Sequence, residues 1–229
     1  YDVIDTGRAL MFTKTHQNMV APRIKALIDV LAELTERFSD TLQIGRTHCQ
    51  HALPITVGFW LANLLFRVHY NAEMMELTNS HLVGKISGAV GAFNAQVGLG
   101  FQKLCREKSF AERVLEKLGL QPAPISSQTL PPEPLAYYLH ACTLLSASLG
   151  QLGRDARNLM RSEIAEIAEP FEAGQVGSST MAHKRNPINF ENTEGMWLRT
   201  KAEYLKVLDT LLSDHQRDLV GSCIGRDFP

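Results

Sequence analysis

Residues 135–159 read LAYYLHACTLLSASLGQLGRDARNL. Leu135, Tyr138, Leu139, Cys142, Leu145, Leu149, Leu152, Ala156 and Leu159 recur at three- and four-residue steps. That is the period of one face of an α-helix. The pattern reaches toward Glu169, so the spacing predicts one helix from position 135 to the region of 169. A helix of thirty residues spans about 45 Å, and helices of that length are normally buried by other long helices.

The same period recurs on both sides of this stretch. Val20, Ile24, Leu27, Ile28, Leu31, Leu34 and Phe38 form one stripe. Pro54 opens another, with Val57, Trp60, Leu61, Leu64, Leu65 and Val68, running toward His81. A shorter amphipathic piece covers Phe101 to Leu118, and a last one runs from Ile188 through Trp197, Tyr204, Leu208 and Leu212. No strand alternation and no internal repeat stands out. The expected fold is all-α, a long-helix bundle forming one domain over residues 1–229, and an elongated helical oligomer is the plainest reading of it.

Bulk properties narrow the function. The chain has 229 residues, 45% hydrophobic and 21% charged, with a formal net charge of −1. Such a balance gives no support for general nucleic-acid or membrane-surface binding. No window of about 18 uninterrupted apolar residues is present, so no transmembrane helix is expected. The start, YDVIDTGRAL, has neither an initiator Met nor a signal-peptide pattern, and the end is GRDFP. A fragment of a longer protein is the expectation. Cys49, Cys105, Cys142 and Cys223 are isolated, which suits reduced thiols, each a small apolar group, in a cytoplasmic protein.

Chemistry gathers where the helical period breaks. The segment GQVGSSTMAHKRNPINFEN, residues 174–192, holds Gly174, Gly177, Ser178, Ser179, Lys184 and Arg185 ahead of Asn186-Pro187. Asn is a favoured N-cap and Pro a favoured first helical residue. The segment therefore reads as a mobile cationic loop entering a helix N-terminus, a ready anion site. An ordinary solvated interhelical loop is the plain alternative.

A second break, GRTHCQHALPITVG at 45–58, sets His48 and His51 beside Arg46 and Gln50. Histidine is the usual general acid or base near neutral pH. The pair is also compatible with a metal, but no carboxylate lies close by and no HExxH is present, and each histidine taken singly reads as a structural hydrogen-bonder. A third break, HQRDLVGSCIGRDFP, sets Arg217 and Arg226 around Ser222, a pattern suited to phosphate or carboxylate. Surface arginines paired with Asp218 and Asp227 would explain it equally well.

Taken together, GSSTMAHKRNP resembles the GSSxMxxKxNP loop of the fumarase/aspartase superfamily. GRTHCQHALP, GKISGAVG, MAHKRNPINFENTEGM and HQRDLVGSCIGR resemble, in the same order, segments of the adenylosuccinate lyase family. The resemblance implies the central helical domain of that superfamily, with the signature loop at 174–187 and the N- and C-terminal domains absent. It implies β-elimination of fumarate from adenylosuccinate, and from the succinyl-aminoimidazole-carboxamide ribotide, without a cofactor. Ser178 would be the general base, with Ser179 the fallback, and His48 the general acid. Lys184 and Asn186 would hold the substrate carboxylate. Thr47, Gln128, Met181, Asn192, Arg217, Ser222 and Arg226 match substrate-binding positions. A homotetramer with active sites shared between subunits is also implied.

Departures from the family pattern are Ala182, where the loop usually has Pro, and Pro131, Pro132, Glu133 and Pro134, where basic and acidic residues are usual. A muconate cycloisomerase-like enzyme of the same superfamily and a non-catalytic helical scaffold are the alternatives.

Overall fold

The computed structural model describes residues 1–103, 105, 107–172 and 174–226. In chain order the helices are α1 (Asp2–Thr15), α2 (Ala21–Arg37), α3 (Val57–Ser80), α4 (Asn94–Gly98), α5 (Phe110–Leu118), α6 (Glu133–Leu159), α7 (Ile188–Asp209) and α8 (Val220–Gly225). A five-residue π turn, His16–Val20, joins α1 to α2. The all-α expectation holds.

The apolar stripes meet where their spacing says they should. Ile24 and Leu31 of α2, Leu61, Leu64, Val68 and Met75 of α3, and Ala141 and Leu145 of α6 form one buried cluster. Burial of such side chains stabilises by about 1.5–3 kcal/mol each. One polar bridge crosses this core. The buried Asn71 amide donates to Ser148 Oγ at 2.9 Å and to the Leu144 carbonyl at 3.3 Å. The half-buried thiol of Cys142 is pushed up to about 11 by desolvation. Cys49 and Cys223, by contrast, are exposed, so they are not apolar fillers.

α6 and α7 pack unusually close. A Cβ on Gly150 would lie 2.6 Å from Trp197 Cβ, and one on Gly153 would lie 2.6 Å from the Phe190 carbonyl oxygen. Only glycine permits this approach. Charge locks the same pair: buried Glu194 accepts from Arg154 Nε at 2.9 Å and faces Arg157 Nη2 at 3.0 Å.

The structure corrects four boundaries. Residues 42–56 form a β-hairpin, β1 (Leu42–Thr47) against β2 (Gln50–Thr56), antiparallel with a register shift between Ile44 and Arg46. Its strands are short and mostly solvent-facing, so no alternation marks them. Pro54 therefore lies in a strand; α3 starts at Val57, where Thr56 Oγ1 accepts the Phe59 N–H at 3.1 Å. The amphipathic piece at 101–118 divides into a 3-10 turn (Phe101–Lys103) and α5, whose start Ser109 and Glu112 close as a capping box. The glycine-rich break holds α4 and a short β3 (Val83–Gly84), which pairs in parallel with β4 (Gln121–Pro122).

The fourth correction concerns α6, which stops at Leu159 instead of running on toward Glu169. Ala165 has φ +51°, and Pro170 could not continue a helix. Two carboxylates are drawn away from the helical path. Glu166 pairs with Arg46 and accepts from Gln43 Nε2 at 3.2 Å. Glu169 reaches the start of α7. Tertiary partners outweigh helix propensity here.

Three long helices therefore run in alternating directions. The hairpin and the 174–187 loop lie near the start of α3, the end of α6 and the start of α7. The opposite ends of those helices meet α1 and α8.

Candidate active site

At the second of those ends, one face of α1 supplies Ile4, Asp5 and Arg8, with Tyr1 at its cap. The last turn of α7, α8 and the proline-rich lead into α6 complete a cavity of about 310 Å³. Arg217 is its best-anchored cation. Its guanidinium carbon lies 4.0 Å from the Tyr1 ring centroid. Nη2 donates to Tyr1 Oη at 2.7 Å, Nη1 to Gln128 Oε1 at 3.1 Å, and Nε to Ser222 Oγ at 3.4 Å. Arg226 lines the same cavity. Four expected binding residues thus converge. Arg217 does not pair with Asp218, which instead accepts from the Asp214 and Val220 N–H groups at 2.8 Å each. Asp227 lies outside the described residues.

Asp5 faces this cavity but is committed elsewhere: its Oδ2 accepts the Leu130 N–H at 2.9 Å. Burial raises its pKa, against the lowering effect of that hydrogen bond.

At the other end, the 174–187 loop is folded on itself. Ser178 Oγ accepts the N–H groups of Thr180 at 3.3 Å and Met181 at 3.2 Å. The Lys184 N–H returns to the Met181 carbonyl at 3.0 Å, and the Arg185 guanidinium lies 3.6 Å from the Phe171 ring centroid. A Cβ at Gly177 would sit 2.1 Å from the Lys184 carbonyl oxygen, so the turn closes only around glycine. Ser179, Met181 and Lys184 face solvent.

Asn186 does not cap α7. Its side-chain amide donates to the Gly177 carbonyl at 2.8 Å, and Pro187 holds the cap position. The α7 N-terminus is covered instead by Glu169, whose carboxylate accepts the Phe190 N–H at 2.9 Å and Asn189 Nδ2 at 2.8 Å. The anion site expected from the sequence exists, and a side chain of the same chain occupies it.

His48 sits at the hairpin tip. Thr47 pairs with Gln50, leaving His48 and Cys49 as a two-residue turn with φ +53° and +62°. Below the tip, Arg46 Nη2 lies 3.5 Å from His51 Nε2 and pairs with Glu166. The Arg46 hydrogen bond holds Glu166 below its ordinary carboxylate value, with desolvation opposing.

The two ends do not meet. α7 is 22 residues long, about 33 Å at 1.5 Å per residue. Ser178, Lys184, Asn186 and Asn192 belong to its start, while Thr210, at its end, lines the Arg217 cavity. Among the described residues, no hydrogen bond or ion pair joins His48, Ser178 and Arg217. Asn192, expected with the Arg217 set, lies exposed in the first turns of α7 and is not part of that cavity.

Sequence reasoning missed Tyr1, Arg8, Glu166 and Glu169. Only Arg8 left a signal, as a cation in helical register with Tyr1, Ile4 and Asp5. Glu166 and Glu169 act through partners more than a hundred and about twenty positions away, respectively, which no local pattern discloses.

Residues 1–200 match the model of a family described as Lyase. The chain belongs to this lyase family, part of the fumarase/aspartase superfamily. It is 40% identical over 231 residues to the adenylosuccinate lyase of Pyrococcus horikoshii, covering 98% of this chain and 48% of that one. With the adenylosuccinate lyase of Thermotoga maritima it shares 33% identity over 226 residues, 98% of this chain and 50% of the other. The crystal structure of 3-carboxy-cis,cis-muconate lactonizing enzyme from Pseudomonas putida superposes with a TM-score of 0.84 at 27% identity, over 99% of this chain and 48% of that one. The chain spans about half the length of the curated relatives it matches.

Proposed function

We propose that the protein cleaves adenylosuccinate, and the succinyl-aminoimidazole-carboxamide ribotide, by general acid–base β-elimination. Ser178 Oγ, with Ser179 as fallback, takes the proton from the carbon beside a substrate carboxylate. Electrons move to form the carbon–carbon double bond of fumarate, the C–N bond breaks, and His48 protonates the departing nitrogen. Lys184 and Asn186 hold the carboxylate on which negative charge develops. Thr47, Gln128, Met181, Asn192, Arg217, Ser222 and Arg226 bind the rest of the substrate.

One observation carries this reading: two backbone N–H groups already point at Ser178 Oγ. A serine hydroxyl is a weak base, and hydrogen bonds to its ionised form lower the cost of making it. The identity to adenylosuccinate lyases over 98% of the chain supports the choice of substrate.

The same reading includes self-association, as a homotetramer, and a cytoplasmic location. Groups about 33 Å apart along α7 can serve one substrate only if a second copy brings its opposite end alongside. Exposed Phe59, Phe66 and Tyr70 on α3 and Leu205 on α7 offer the apolar surface for it.

The test is loss of adenylosuccinate absorbance with the protein expressed from its complete reading frame. No turnover of that substrate or of its imidazole-carboxamide analogue would sink the proposal. The structural likeness to the muconate lactonizing enzyme favours a cycloisomerase as the second reading; phosphate-dependent AMP affinity would count against it. If Ser178→Ala changed nothing, a scaffold would be the better description.

A further inference from the structure

Arg217 makes four contacts with three residues, Tyr1, Gln128 and Ser222, so it has limited freedom to follow a ligand. Arg8 differs. It projects from α1 into the same cavity, and a Cβ at Gly225 would lie 3.7 Å from its Nη1. The side chain is half-buried and, among the described residues, forms no hydrogen bond or ion pair. Asp5, whose carboxylate accepts the Leu130 N–H, attracts Arg8 through space without forming an ion pair with it. Beside Gly225, Arg226 brings a second cation to the same wall. Three guanidinium groups around one small cavity suit a dianion with several acceptor oxygens, the chemistry of a phosphate monoester.

Much of the remaining wall is apolar, although Asp5, Thr129, Thr210 and Ser213 also line it. Ile4, Leu130, Pro131, Leu135 and Leu211 line the same cavity. Rigid prolines and branched side chains fit a flat ring system and offer it no charge. A cavity of about 310 Å³ lies at the lower end of the range that small-molecule sites occupy.

We propose that Arg8 is a further binding residue of this cavity, holding the phosphate of a phosphorylated ligand whose planar body rests on the Leu130–Pro131 wall. The inference deepens the lyase reading, since the same cavity would take the nucleotide end of the substrate. It extends that reading to a residue on α1 and predicts that phosphate recognition depends on it.

The experiment uses the protein from its complete reading frame, with AMP and adenosine as probes in titration calorimetry. Wild type should bind AMP at least tenfold more tightly than adenosine. Arg8→Gln should lose about tenfold in AMP affinity and less than twofold in adenosine affinity, the size expected for one charge-assisted contact. Arg8→Lys should recover part of the loss, which separates binding from misfolding. Equal AMP affinity in wild type and Arg8→Gln overturns the proposal, as does a wild type indifferent to the phosphate. AMP binding that depends on Arg8, in a protein without adenylosuccinate turnover, would leave this inference standing and remove the lyase one.

Discussion

The two ends of α7 solve opposite problems. At its C-terminal end, Arg217, Gln128, Ser222 and Tyr1 are already bonded to one another around an open cavity. At its N-terminal end, Ser178 accepts the Met181 N–H, Asn186 donates to the Gly177 carbonyl and Glu169 accepts the Phe190 N–H, while Lys184 faces solvent. One end is cross-bonded around an open cavity; the other is a loop closed on its own groups. Binding energy gathered at a rigid end can then be used to order a soft one.

The sharpest way to break this comparison is to disable the ends separately. Ser178→Ala should lose on the order of 10³-fold in turnover, the usual scale for a general base, and Arg217→Ala should mainly raise KM. Mixed oligomers of the two variants should recover activity well above the sum of the separate proteins. Failure to recover would mean that each chain builds its own site.

Gly177→Ala comes next. The new Cβ meets backbone, not a movable side chain, so the loop must reopen. Activity should fall by about 10²-fold, as small misplacements of catalytic groups do, while the thermal midpoint stays nearly unchanged. A large fall in the midpoint would show that the loop is part of the core.

Glu169→Gln should loosen the start of α7. Weakening such a cap costs about 0.5–2 kcal/mol, read as faster hydrogen exchange of the Phe190 amide. An unchanged rate would mean that the contact holds nothing.

The smallest effect concerns pH. Glu166 lies below its ordinary value of 4.5, so its pairing stabilises the fold above that value and is lost as pH falls through the depressed one. Acid unfolding of Glu166→Gln should therefore be less steep below about pH 4.5 than that of wild type. Identical curves would exclude a role for this pair.

The bundle was legible because Leu61, Leu64, Val68, Leu145 and their neighbours carry a period that only helix packing explains. The loop itself was also legible as a break in the helical period, since Ser178, Lys184 and Asn186 stand together in the chain. The hairpin was not, because its exposed strands carry no apolar alternation. Nor was the end of α6, where Glu166 and Glu169 leave the helical path for distant partners. Gln128 and Arg217 are 89 positions apart, so their contact is a property of the packed helices and of no local pattern.

The tip of the hairpin sets a limit on how this protein can be improved. A two-residue turn with both φ values positive favours Asn-Gly. Here it carries His48 and Cys49, and each L side chain in that region costs roughly 1–2 kcal/mol. A screen rewarding only heat resistance would be drawn to this turn, and the replacement that most relaxed it would delete the imidazole. Any useful selection here has to reward turnover and endurance at once.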